Sequence, residues 1–127
     1  MSEKQYDVIV TPFAEEALQR IDDRLRIELF AEQAADNWLD RLERTLQELS
    51  FLPNRYQLVG REPWYSNGIR YFPFMGYNIY YWVSEDRAKV YVIDVVAQRM
   101  DQDKRLIESA LEFFHTNNAE LEEGTGE

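Results

Sequence analysis

The apolar positions of this chain change period several times, and each change marks an element. Tyr6-Asp7-Val8-Ile9-Val10 is short and β-branched, which predicts a first strand. Thr11-Pro12 then announces a helix: threonine caps well, proline suits the first helical position, and Glu15 and Glu16 complement the helix dipole. Ala14, Leu18, Ile21 and Leu25 recur at helical spacing, and a second stripe runs through Ala31, Ala35, Trp38, Leu42, Leu46 and Leu49. Neither Gly nor Pro interrupts 13–52. One helix of ~40 residues would nevertheless be ~60 Å long, too long for a domain of this size. A turn within 27–33 is therefore expected, splitting the stretch into two helices.

Pro53-Asn54 ends the second helix, because proline disfavours the helical conformation in the residue before it. Residues 54–67 read as a connection. Three strands follow, 68–74, 77–83 and 89–97, joined by Met75-Gly76 and by Ser84-Glu85-Asp86-Arg87. Short loops between aromatic and β-branched runs predict an antiparallel meander. A last helix spans about 102–114 and carries Leu106, Ala110 and Phe113 beside Ile107, Leu111 and Phe114. The order is β-α-α-β-β-β-α, an α+β domain over 1–115, and the acidic residues 116–127 read as a frayed, disordered tail. The expected core comprises Leu18, Ile21, Leu25, Trp38, Leu42, Leu46, Leu49, Ile79, Tyr81, Val92 and Val95.

Composition narrows the chemistry. The 127 residues suit one domain, and 45% hydrophobic content argues against disorder for most of the length. There is no cysteine, no apolar run long enough to span a membrane and no signal-peptide pattern at Met1-Ser2-Glu3-Lys4, which together favour the cytoplasm. The single histidine, His115, lies near the polar tail, so a histidine-based metal or triad site is not expected. The net charge of −10 is uneven. Residues 1–52 hold 12 acidic against 6 basic side chains, residues 53–100 hold 4 against 6, and residues 101–127 hold 8 against 2. An acidic chain is a poor general ligand for nucleic acid, so only the middle third offers a positive surface.

The order of elements resembles that of RelE/ParE toxins, and so do several local sequences. Tyr6 to Thr11-Pro12 with Ala14, Ala34-Ala35, and Pro53 with Tyr56 and Leu58-Val59 carry the likeness. Gly68-Ile69-Arg70, Gly76 to Tyr81, and Arg99-Met100-Asp101 complete it, over about 5–108. The resemblance implies a type II toxin–antitoxin module with a cognate antitoxin as partner and no metal or other cofactor. It also implies a mostly antiparallel four-stranded sheet covered on one face by a helical hairpin. The first strand lies beside the last, a placement that the right-handed crossover rule also favours. RelE-like members cut ribosome-bound messenger RNA, whereas ParE-like members poison gyrase.

By this resemblance Arg70 stands where RNA-cutting relatives contact the scissile phosphate, and a guanidinium there can stabilise developing charge. The alternative is a sheet-surface arginine paired with Asp94 or Glu62. Arg99 occupies a family arginine's place, as a catalytic candidate or as a strand-end cap. Arg55 and Arg61 are candidate target or phosphate contacts, or solvated loop residues. Trp64 and Tyr65 are candidate exposed anchors for a partner, or core aromatics. Asp94, alone in an apolar strand, calls for a counter-charge. The general acid or base of the RNA-cutting relatives has no clear match after Arg99, and strand tyrosines are usually packing residues. Three readings stand: a toxin that binds a protein target such as gyrase, a ribosome-dependent endoribonuclease, and a diverged, non-toxic binding module.

Overall fold

The computed structural model describes residues 4–125, with side chains through Thr116. Strand β1 is Asp7–Val10 and helix α1 is Pro12–Asp23. Thr11 joins the two. Its hydroxyl accepts from the Ala14 amide at 3.4 Å and donates to the Val92 carbonyl at 2.8 Å, so the cap also fastens the helix start to the sheet.

The expected break between the first two helices is present, and it begins slightly early. A π-helical turn, Arg24–Glu28, follows α1, and helix α2 runs Glu32–Glu48. The Leu29 amide donates to the Arg24 carbonyl at 3.0 Å and the Ala31 amide to the Leu25 carbonyl at 2.7 Å. Phe30 takes the left-handed conformation with φ +52. Nothing in 27–33 favours that geometry locally, and a bulky residue there costs about 1–2 kcal/mol. Packing of both apolar stripes against one sheet offsets the cost.

Strands β2, Arg70–Phe74, β3, Tyr77–Ser84, and β4, Lys89–Ala97, form the meander, and helix α3 spans Gln102–Thr125. The sheet order is β1-β4-β3-β2, with β1 parallel to β4 and the other pairs antiparallel. The first strand thus lies beside the last, as expected. The strand expected from Gly68 starts at Arg70, because Gly68 turns with φ +77. Helix α3 continues past its expected end near 114 to Thr125, and the side chains of 117–127, where most of the expected tail falls, lie outside the described residues.

Two cores sandwich the sheet. The helical hairpin covers one face with Ile21, Trp38, Leu42, Leu46 and Leu49 against Ile79, Tyr81, Val92 and Val95. Leu18 and Leu25, expected in this core, pack on its rim and are only partly buried. On the other face Leu106 and Ala110 of α3 meet Tyr80, Ile93 and Val96, and Val59, Trp64 and Ile69 of the connection complete the layer. No helix among the described residues is long and apolar enough to cross a membrane. Leu42 is 3% exposed at the hairpin–sheet contact. Leu42→Ala should destabilise the domain by about 2–5 kcal/mol in urea titration, and an unchanged midpoint would refute this packing.

Candidate functional site

A register irregularity in the centre of the sheet places the first functional element. Tyr80 pairs with Asp94 but Tyr81 pairs with Val92, so Ile93 is an extra residue in β4. Ile93 packs in the α3-side core, and Asp94 also reaches α3. Asp94 is fully buried. Its Oδ2 accepts from Arg105 Nε at 3.0 Å and its Oδ1 accepts from the Val95 amide at 2.8 Å. Arg105 also stacks over the Phe13 ring at 4.4 Å, so it links α3, β4 and the start of α1. The expected counter-charge of Asp94 is therefore Arg105. Burial pushes the Asp94 carboxyl above its ordinary range, against the opposing pull of Ser109 and Arg105.

The other candidate cations are dispersed. Arg70 pairs with neither Asp94 nor Glu62; its Nη1 donates to the carbonyls of Tyr56 at 2.7 Å and Asn54 at 3.5 Å. It braces the connection against the sheet edge. Arg55 is paired with Glu48 and lies over the Tyr56 ring. Arg61 donates to Asp103 Oδ1 from Nε at 3.0 Å and from Nη2 at 2.6 Å. These hydrogen bonds hold the Asp103 carboxyl below its ordinary value. Trp64 corrects one expectation: its ring is 4% exposed within the α3-side core, and its Nε1 donates to Asp103 at 3.2 Å. Proline-flanked sequence suggested an exposed loop, but the connection folds back onto α3. Tyr65 is 54% exposed and keeps the anchor reading open.

Arg99 follows the C-terminal end of β4 and lines a groove of about 320 Å³ with Arg20 and Arg24 of the α1 side, Tyr77, Met100 and Arg105. Arg70 faces Tyr81, which faces Val92, so Arg70 and Arg99 sit at different levels of the sheet. Their Cα atoms are on the order of 20 Å apart, from strand rise and spacing. The two arginines do not form one constellation. Sequence reasoning missed Arg20 and Arg24. The signal was present: like charges at i and i+4 share one helix face and repel. Of the strand tyrosines, Tyr77 reaches this groove and packs edge-on against Trp38, with ring centres 5.6 Å apart. Tyr81 is buried instead, with its phenol donating to the Pro53 carbonyl at 2.8 Å and pushed up to about 12 by burial. Tyr80 donates to Gln102 at 2.8 Å, and His115 is an exposed residue of α3.

The family model described as "ParE toxin of type II toxin-antitoxin system, parDE" matches residues 8–102. The chain belongs to the ParE toxin family. The matched stretch of this ParE-family chain runs from Val8 in β1 through the first residue of α3, including Arg20, Arg24, Arg70 and Arg99, and stops before Arg105. Solved structures share the fold. The RelBE2 toxin–antitoxin complex of Mycobacterium tuberculosis matches at 19% identity and TM-score 0.51, covering 74% of this chain and 99% of that one. The chromosomal ParDE system of P. aeruginosa matches at 14% identity and TM-score 0.59, covering 75% and 98%. A mutant of the E. coli toxin RelE in the free state matches at 15% identity and TM-score 0.56, covering 85% and 97%. No curated protein matches the chain.

The Asp94 shift has a definite pH signature. A carboxyl whose folded pKa is raised contributes stability that is full below its unfolded value and lost as pH rises through the folded one. The stability of wild type relative to Asp94→Asn should therefore fall as pH rises from the unfolded aspartate value of ~3.9. Urea midpoints of both proteins across pH 4 to 7 (a range of about three units above that value) check this. A difference that moves the other way would show that Arg105 outweighs burial.

Proposed function

We propose that this ParE-family toxin inhibits growth by binding a cellular protein, with gyrase as the family example, and that a cognate antitoxin neutralises it. Two of the similar structures are toxin–antitoxin systems by their descriptions, which supports an antitoxin partner. The reading places the protein in the cytoplasm, where such a target resides.

The observation that carries the reading is the dispersal of the four arginines singled out by the family resemblance, Arg55, Arg61, Arg70 and Arg99. Cutting RNA requires cations at one phosphate and a proton donor for the leaving oxygen. Arg55, Arg61 and Arg70 are each engaged by groups of the same chain, and Arg70 lies far from Arg99. The endoribonuclease reading keeps one observation in its favour, because Tyr77, which carries a phenol, lines the same groove as Arg20, Arg24 and Arg99.

Induced expression should arrest growth without codon-positioned cuts in ribosome-bound message, read by primer extension with purified protein. Cuts lost in both Arg99→Ala and Tyr77→Phe, the phenol alone being worth ~10²–10⁴ in rate, would replace this reading with the nuclease. Normal growth under induction, with folded protein present, would favour the non-toxic binding module.

A further inference from the structure

A cavity of about 430 Å³ lies between the sheet and α3 and shares no lining residue with the arginine groove. Its size falls within the range of small-molecule sites, about 300–1,000 Å³. Ile9 of β1 stands beside Tyr91 of β4 in the parallel ladder, so their side chains share one face and form the floor. The start of α1 supplies Phe13 and Glu16 as one wall. Helix α3 supplies the other with Ser109, Glu112 and Phe113, spaced i, i+3 and i+4. Phe113 closes on Tyr91 with ring centres 5.1 Å apart. Ser109 is fully buried, and its short side chain leaves open the space that a larger residue would fill. Its hydroxyl donates to the Arg105 carbonyl at 3.2 Å and is already satisfied.

The charge of this lining is one-sided. Glu16 and Glu112 are its only charged side chains, and they come from different helices. Two cations touch the lining residues from outside the cavity. Arg105 lies over the Phe13 ring at 4.4 Å but pairs with Asp94 and Glu108, and Arg87 donates to the Tyr91 hydroxyl at 3.2 Å. The helix dipole does not account for Glu16, because Glu15 fills the acidic place in the first turn of α1 and Glu16 lies beyond it. On a chain of net −10 an open carboxylate marks nothing by itself. This cavity is distinguished by two of them converging on a space walled by three aromatic rings.

We propose that the cavity binds a small organic cation, a primary ammonium carried on a compact apolar body. The rings of Phe13, Tyr91 and Phe113 take the body, and the exposed carboxylates of Glu16 and Glu112 receive the ammonium. An anion is repelled by both carboxylates, and a neutral molecule leaves them without a counter-charge. A bare metal ion finds two carboxylates but no third acidic or imidazole ligand, since no such group of three occurs among the described residues. A lysine of another protein would have to lay its backbone across α1 and α3, whereas a free amine fits the half-enclosed space. A bound amine bridges α1 to α3, so it stabilises the fold by mass action. The proposal is independent of the growth-inhibition reading, and either can fail without the other.

The test uses the full chain and three probes of matched size: 2-phenylethylammonium, neutral 2-phenylethanol and anionic phenylacetate. Binding is followed by amide NMR shifts and by the thermal midpoint. The ammonium should move the amides of Ile9, Glu16, Ser109 and Glu112 and raise the midpoint. Its affinity should exceed that of the alcohol by about tenfold, and phenylacetate should not bind. Glu16→Gln with Glu112→Gln should remove that advantage while the alcohol binds as before, a split that misfolding cannot produce. No response to the ammonium up to about 10 mM, the weakest affinity expected of a ligand of about nine heavy atoms, would overturn the proposal. Shifts spread over acidic residues far from the cavity, or an ammonium affinity unchanged in the double variant, would overturn it as well. Tighter binding of a blocked lysine peptide than of the free amine would assign the cavity to a protein side chain and overturn the small-molecule assignment.

Discussion

A buried carboxylate in the central strand fixes how this fold is assembled. Asp94 is fully enclosed in β4, and removing an ion from water costs several kcal/mol unless a counter-charge and hydrogen bonds offset it. Those partners come from α3 and from the neighbouring amide: Arg105 at 3.0 Å and the Val95 N–H at 2.8 Å. Satisfying Asp94 therefore sets where α3 crosses the sheet. With Arg105 held there, Leu106 and Ala110 fall onto Tyr80, Ile93 and Val96, and the second core closes. Apolar packing supplies most of the stabilisation, but it is non-directional. The ion pair supplies the register.

The same strand organises the site. β4 has a neighbour on each edge and a core on each face, so almost all of it is buried. A strand held on four sides has no freedom at its exit, and Arg99 leaves it at a defined point beside Tyr77. The parallel pairing of β1 with β4 sends α1 onward toward the C-terminal end of that strand, and Thr11 fastens its start to Val92. Arg20 and Arg24 thus reach the end of β4 because a helix of that length, capped at that point, must end there. The groove follows from topology more than from any local motif.

This explains what the sequence disclosed and what it withheld. Strand β4 was legible to the residue, since a run from Lys89 to Ala97 between polar turns has few other conformations. The hairpin was legible from its two apolar stripes, but Phe30 as the turning residue was not. A left-handed phenylalanine is locally unfavourable, and only tertiary packing selects it. Asp94 announced its need for a cation by being discordant, while the identity of that cation depended on the bulge at Ile93, which leaves no mark in the sequence. Trp64 misled because Pro63 and Ser66 look like loop, and a loop that folds back under a helix has the same composition as one that does not. Arg70 and Arg99 were found by likeness to a family, which places residues along the chain without saying what each side chain meets.

The charge pattern then acquires a physical meaning that a net value hides. At physiological ionic strength, fields from exposed charges decay over ~8 Å. An anionic group confined to the arginine groove would respond to the cations there and be largely screened from the acidic residues elsewhere. A long polyanion cannot confine itself in that way, because successive phosphates must cross the acidic helices on either side. The overall −10 and the local positive groove are therefore cooperating features. One disfavours extended anions, and the other is a local positive surface. Neutralising the surrounding acids would leave the groove intact and still relax its selectivity, since discrimination is a difference of affinities and half of that difference is repulsion.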